Sequence, residues 1–143
     1  MFESNMPVFF APSEFHDYEE FLGSLESGGD HSKGLIRYYV VFSGGNAAAC
    51  GGIGISPDGM KGRMIWGMVR ADLHRNGLGR EFLNFRIRRI RQLYPYAAIS
   101  LDTTQHSKGF FERLGFETTK ITPDFYAPGM DRYDMDLRSD SIF

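Results

Sequence analysis

Residues 69 to 83 read V-R-A-D-L-H-R-N-G-L-G-R-E-F-L, and the fold turns on how this stretch is understood. An apolar run ends at Arg70 and a polar loop follows. Gly77-Leu78-Gly79 then opens a segment in which Leu83, Ile87, Ile90 and Tyr94 recur at helical spacing, with Phe82 and Phe85 beside them. The layout is strand, glycine turn, helix. Arg75 and Arg80 flank the turn, although the start of a helix is already the positive end of its dipole. Glycines let the backbone adopt positive φ and approach a ligand closely, so that successive N–H groups converge on an anion. A phosphate held between the arginines would turn their repulsion into attraction. An ordinary strand-to-helix loop is the alternative reading of so short a motif. A Walker A loop needs Gly-Lys-Ser/Thr where this chain has Gly79-Arg80-Glu81, and a dinucleotide fingerprint needs a third glycine where Phe82 stands.

Upstream of the turn, Pro12-Ser13-Glu14 begins a helix with Ser13 as a candidate N-cap and Phe15, Tyr18, Leu22 and Leu25 as its apolar stripe. Residues 27 to 34 read as a loop. Residues 35 to 42, 47 to 55 and 63 to 70 are three strand-like runs separated by Ser43-Gly44-Gly45-Asn46 and Pro57-Asp58-Gly59, which predicts an antiparallel meander. Downstream, the helix of 77 to 94 stops at Pro95, and 96 to 102 is a short buried-strand run. The intervening helix makes a crossover, so this strand runs parallel to the third. A short helix over 107 to 114 ends at Gly115, and 117 to 121 and 132 to 137 form two more strands joined by T-P-D-F-Y-A-P-G-M. The fold class is α/β, a mixed sheet with flanking helices, in one domain over residues 1 to 143.

Hydrophobic and charged contents of 42% and 24% are ordinary for a soluble globular protein. Thirteen Phe, seven Tyr and one Trp predict an aromatic-rich core, or an aromatic-lined pocket. The single Cys50 excludes an internal disulfide, fits a reducing compartment and reads as a buried inert thiol. No run approaches the ~20 apolar residues of a membrane span, and the expected location is cytoplasmic. Charge is unevenly spread. Residues 1 to 30 carry seven acids and no Lys or Arg, whereas 70 to 91 carry seven Arg against two acids. The second block calls for an anionic partner, with part of it explained by a solvated helix face.

The stretch quoted first resembles the acetyl-CoA-binding segment of the GNAT superfamily of N-acyltransferases. That pattern, Gln/Arg-x-x-Gly-x-Gly/Ala, is here His74-Arg75-Asn76-Gly77-Leu78-Gly79. F-F-E-R-L-G-F at 110 to 116 looks like the family's aromatic helix ending in Gly-Phe, and it follows L-D-T-T-Q-H as the family order requires. The resemblance covers about residues 35 to 137. It implies a GNAT-like central sheet in which the strands at 63 to 70 and 96 to 103 splay apart. The pantetheine arm would pair with Met68, Val69 and Arg70, and the pyrophosphate would rest on N–H groups from Arg75 to Arg80, Leu78 included. Thr104 would also contact the cofactor. Arg75, Arg80 and Arg70 are the side chains within reach of phosphate, whereas Arg86, Arg88, Arg89 and Arg91 read as a solvated face. His74 stands where the family has Gln or Arg, which makes it a weaker, pH-dependent phosphate partner.

The implied reaction is direct attack of a primary amine of a small molecule, amino acid or peptide on acetyl-CoA, without a metal. A backbone N–H near Met68 or Val69 would hold the thioester oxygen. The family's acid, a tyrosine after the second splayed strand, is Phe111 here, and no Glu occurs on the first splayed strand. Tyr126 or Tyr133 is a candidate replacement acid, with packing or substrate lining the other reading of Tyr126. His106 is the candidate base or proton relay, or else a loop histidine capping the next helix. Asp102 would orient His106 or bind the acceptor's ammonium, and the acidic N-terminal segment would favour a cationic acceptor. Two rival readings stand beside this one: an acyl-CoA-binding sensor of the same fold without efficient turnover, and nucleic-acid binding by the helix at 80 to 91. The interleaved Phe and Ile argue against the second, so neither nucleic acid nor membrane is an expected partner. A homodimer stays open.

Overall fold

The computed structural model describes residues 1–26 and 34–139. The loop read at 27 to 34 therefore lies, apart from Gly34, outside the described residues. Six strands form one sheet: β1 (Leu35–Ser43), β2 (Asn46–Ile55), β3 (Lys61–Val69), β4 (Ala98–Thr103), β5 (Phe116–Ala127) and β6 (Met130–Leu137). Their spatial order is β1-β2-β3-β4-β6-β5. The helices are α1 (Glu14–Glu26), α2 (Leu78–Leu93) and α3 (Lys108–Arg113). β1, β2 and β3 are the expected antiparallel meander, and β4 runs parallel to β3 after the α2 crossover.

The parallel pair is short. Lys61, Gly62 and Arg63 face Ala98, Ile99 and Ser100, and beyond them no register pair joins the two strands. From Ser100 onward β4 takes its partners from β6 on its other side. The two strands thus diverge toward their C-terminal ends. β3 also departs from its ladder with β2: Cys50 pairs with Met68 and Gly52 with Ile65, so Trp66 and Gly67 together face Gly51 in a bulge. Trp66 sits there with φ of 41°.

Two apolar clusters cover the sheet. Leu83, Ile87 and Ile90 of α2, each at most 1% exposed, pack on Ile53, Ile55, Met64, Ile99, Leu101, Phe116 and Met135. Each such side chain contributes about 1.5–3 kcal/mol on burial. Around Phe2, Cys50 and Met68, the aromatic rings of Phe10, Phe15, Tyr18, Tyr38 and Trp66 form the second cluster. It includes an element the sequence did not suggest, a 3-10 turn at Glu3–Asn5. The Asn5 amide donates to the Val69 carbonyl at 3.0 Å, fastening this turn to the end of β3.

Two local expectations need correction. Ser13 precedes α1, but its hydroxyl bonds the Tyr126 carbonyl at 3.5 Å, while Glu14 reaches back to the Ala11 N–H at 2.8 Å and does the capping. The segment 122 to 130, expected as a connection, is mostly strand. Pro123 interrupts the ladder rather than ending it, because the register is already broken between Thr122 and Ala127 on an edge strand. Asp124, at φ of 52°, steadies the irregular part: its N–H bonds Asp131 at 2.9 Å and its carboxylate accepts from the Gly129 N–H at 2.6 Å.

Candidate active site

A cleft of about 1080 Å³ opens where β3 and β4 part. β3 supplies its floor from Arg63 to Val69, α2 and α3 form one side, and Phe9, Phe10 and the start of α1 form the other. At the entrance the chain leaves β3 through a 3-10 turn (Ala71–Leu73) and enters α2 through Gly77, whose φ is 89°. A residue with Cβ adopts that conformation at a cost of about 1–2 kcal/mol, so the turn geometry requires glycine. Arg75 is also left-handed, with φ of 65°. Arg75, Gly77, Gly79 and Arg80 line the cleft. Neither arginine forms an ion pair among the described residues. Two unneutralised cations at a helix start, beside exposed backbone donors, make a site suited to phosphate.

The other expected cofactor contacts divide. Met68 and Thr104 are buried on the cleft wall, and Thr104 Oγ1 accepts the His106 N–H at 3.3 Å. Asn76 and Leu78 lie outside the lining and hold the turn, the Asn76 side chain accepting the Leu78 N–H at 3.2 Å. The Val69 carbonyl is taken by Asn5 and by His74 Nε2, the latter at 2.9 Å. His74 also lines the cleft, with Nε2 bonded back to the strand end and its ring edge-on to Phe9. Arg70 stands apart from the cleft. Its N–H bonds the Ala48 carbonyl, its carbonyl accepts from Leu73, and its guanidinium grips Asp72 at 2.6 Å.

Among the catalytic candidates, His106 is exposed on the cleft rim beyond β4. Tyr126 reaches the cleft from β5, but its hydroxyl donates to Asp102. Burial, and then that bond, push its phenol well above the ordinary value of 10.0, so it stays neutral. Asp102 neither orients His106 nor stands free for an ammonium group: Arg63 pairs with it across the fork, and Arg132 lies 3.7 Å away. Phe111 lines the cleft, edge-on to Phe110 and Phe116.

The structure adds residues that the sequence reading placed elsewhere. Arg86 is not on a solvated face. It is 6% exposed, on the cleft side of α2, with Nη1 donating to the Gly52 carbonyl at 3.3 Å and its guanidinium over the Phe82 ring at 4.7 Å. Desolvation pushes it down to about 10, which leaves it charged at neutral pH. Its signal was available, because position 86 falls within the same helical stripe as Phe82, Leu83, Ile87 and Ile90. Tyr38 donates to the Trp66 carbonyl at 3.1 Å and receives the Tyr18 hydroxyl at 3.0 Å, holding the bulge from beneath. Glu14 and Asp17 bring negative charge to the wall opposite α2, where Glu14 is raised above 4.5 by burial and by neighbouring Asp102 and Asp17.

A family model for the acetyltransferase (GNAT) domain matches residues 32–139. The chain belongs to the GNAT family of acetyltransferases. Among solved structures, a protein of Desulfovibrio desulfuricans assigned to that family is 22% identical, covers 96% of this chain and 87% of its own, and superposes with a TM-score of 0.76. The ribosomal-protein-S18-alanine N-acetyltransferase of Escherichia coli is 20% identical over 85% of this chain and 81% of its own, with a TM-score of 0.66. A GNAT acetyltransferase of Elizabethkingia anophelis, solved with acetyl-CoA bound, is 14% identical over 89% and 84%, at 0.67. At such identities the likeness is one of fold. No curated protein shows significant sequence similarity to the chain. Among the described residues, no helix is long and apolar enough to cross a membrane.

Proposed function

We propose that this chain transfers the acetyl group of acetyl-CoA to a primary amine of a small molecule, amino acid or peptide, by direct attack and without an acyl-enzyme. The observation that carries the reading is the pair Arg75 and Arg80, unpaired at a positive-φ glycine turn that opens onto diverging strands. Backbone groups of β3 beyond Arg63 lack a β4 partner, and an extended pantetheine arm would supply one. The pyrophosphate would sit on the N–H groups of the turn. The bulge at Trp66–Gly67, next to Met68, is where a backbone donor meets the thioester oxygen.

The acceptor enters from the α1 side. Glu14 and Asp17 favour an amine that arrives as a cation, and His106 on the rim relays its proton to water. Tyr126, tied to Asp102, shapes this wall. The whole chain is taken as one catalytic domain working in the reducing cytoplasm, with Cys50 buried and uninvolved.

The test is thermal unfolding with acetyl-CoA, CoA, ATP and NAD, for the parent and for Arg75→Glu/Arg80→Glu. A ligand at a hundred times its dissociation constant adds ~2.7 kcal/mol. Both CoA species should stabilise the parent and fail on the double variant, whereas no response to either sinks the reading. A second reading, an acyl-CoA-binding sensor, is favoured by Phe111 at the usual acid position. Consumption of acetyl-CoA when a panel of amines is added separates the two.

A further inference from the structure

Arg86 poses a physical problem that its packing does not solve. A guanidinium removed from water costs several kcal/mol unless an anion or a full set of acceptors compensates it. Among the described residues no carboxylate pairs with Arg86. Nη1 has one long bond, Nε is buried with no partner, and Nη2 makes no hydrogen bond. Yet the fold makes room for this group specifically. A Cβ at position 67 would lie 2.7 Å from Nη2, and one at position 51 would lie 2.7 Å from Nη1. Two facing strands therefore carry glycine where the cation lies, and one of those glycines is in the bulge. Arg86 and Phe111 both line the cleft, and the second cannot donate a proton.

We propose that Arg86 is a catalytic residue whose guanidinium, at the Gly67 bulge, pairs with the negative charge that forms first on the thioester oxygen and then on the departing sulfur. The inference rests on the acetyl-CoA reading above. The amine lone pair forms the new C–N bond while the C=O pair moves to oxygen. When this collapses, the C–S bond breaks with both electrons going to sulfur, and CoA leaves as a thiolate held by Arg86. The surplus proton on nitrogen goes to water, and the released thiolate later takes one from water. Arg86 transfers no proton, so a guanidinium suffices where the family's tyrosine is missing.

Binding alone tests this, without an acceptor. CoA and desulfo-CoA, in which hydrogen replaces the thiol, are titrated by calorimetry between pH 6 and 9.5. A nearby cation lowers the pKa of the bound thiol below its free value, so CoA should gain on desulfo-CoA as pH rises. The other charged and titratable groups lining the cleft (Glu14, Asp17, Arg63, His74, Arg75, Arg80, Asp102, His106, Lys108, Arg113 and Tyr126) are common to the parent and to Arg86→Met, so the difference between those two proteins isolates Arg86. Tyr38 and Cys50, the ionisable groups nearest Arg86, are likewise present in both proteins.

The expected ratio is near one at pH 6 and severalfold at pH 9.5, with about tenfold the ceiling for one pH unit of thiol shift. Arg86→Met should abolish the rise and Arg86→Lys should keep part of it. Gly67→Ala, which leaves the charge but crowds Nη2, should weaken it and guards against misfolding of the Met variant. A ratio independent of pH in the parent, or an unchanged rise in Arg86→Met, overturns the proposal while CoA binding itself stands. If neither ligand binds the parent, the acetyl-CoA reading fails and takes this role of Arg86 with it.

Discussion

The hydroxyl of Tyr38 reaches from β1 beneath β2 to the carbonyl of Trp66, in the bulge. Burial, followed by its bonds to Cys50 and Tyr18, pushes its phenol far up, so it remains a neutral donor at any physiological pH. Tyr38→Phe leaves the Trp66 carbonyl and the Tyr18 hydroxyl each one partner short. The expected cost is about 1–3 kcal/mol in urea unfolding, and an unchanged midpoint would mean the bulge is held by other contacts. Single residues were unevenly legible. Arg75 and Arg80 could be read because they break a rule about helix ends that is visible locally. Arg86 was misread because charge is the stronger general signal for exposure, and only the phase of the helix argued otherwise. Neither Tyr38 nor Asn5 carries any local mark, since Tyr38 acts across 28 positions and Asn5 across 64.

At the scale of elements, α1 meets the cleft with its first turn. Burial, then Asp102 and Asp17, hold the Glu14 carboxyl above 4.5, against the opposing bond from Ala11. The folded protein therefore keeps this proton to higher pH than the unfolded chain does. Stability falls as pH rises from 4.5 through the raised native value, and the deficit persists above it. Glu14→Gln retains an acceptor for the Ala11 N–H and removes the deficit. Its Tm should exceed that of the parent at neutral pH, with the two converging below about pH 4, where both forms of the carboxyl are protonated. A Tm below the parent's at neutral pH would show that the capping charge outweighs burial. Elements with a clear period, the meander, α2 and β4, were legible with small errors at their ends. The 3-10 turn at Glu3–Asn5 was not, being too short to show a period, and β5 was cut short because Pro123 and Gly129 look like turn residues wherever they occur.

At the scale of the molecule, the order of elements could be read, but the placement of β6 between β4 and β5 could not, since a hairpin can join a sheet by either strand. That placement leaves β1, β2 and β3 on one side and β4, β6 and β5 on the other, joined through three residue pairs at one end. Just beyond this seam, the pair of Arg63 and Asp102 ties the two sides together, with no further pairing up to Val69. The sheet is least braced beyond Arg63 and Ser100, so the margin of β3 without a β4 partner is expected to exchange most readily. Amide hydrogen exchange over Ile65–Val69 should slow when acetyl-CoA is added, while Lys61–Arg63 changes little. A molecule that bridges the gap would be a reagent for one moment and part of the sheet's bracing for all the others.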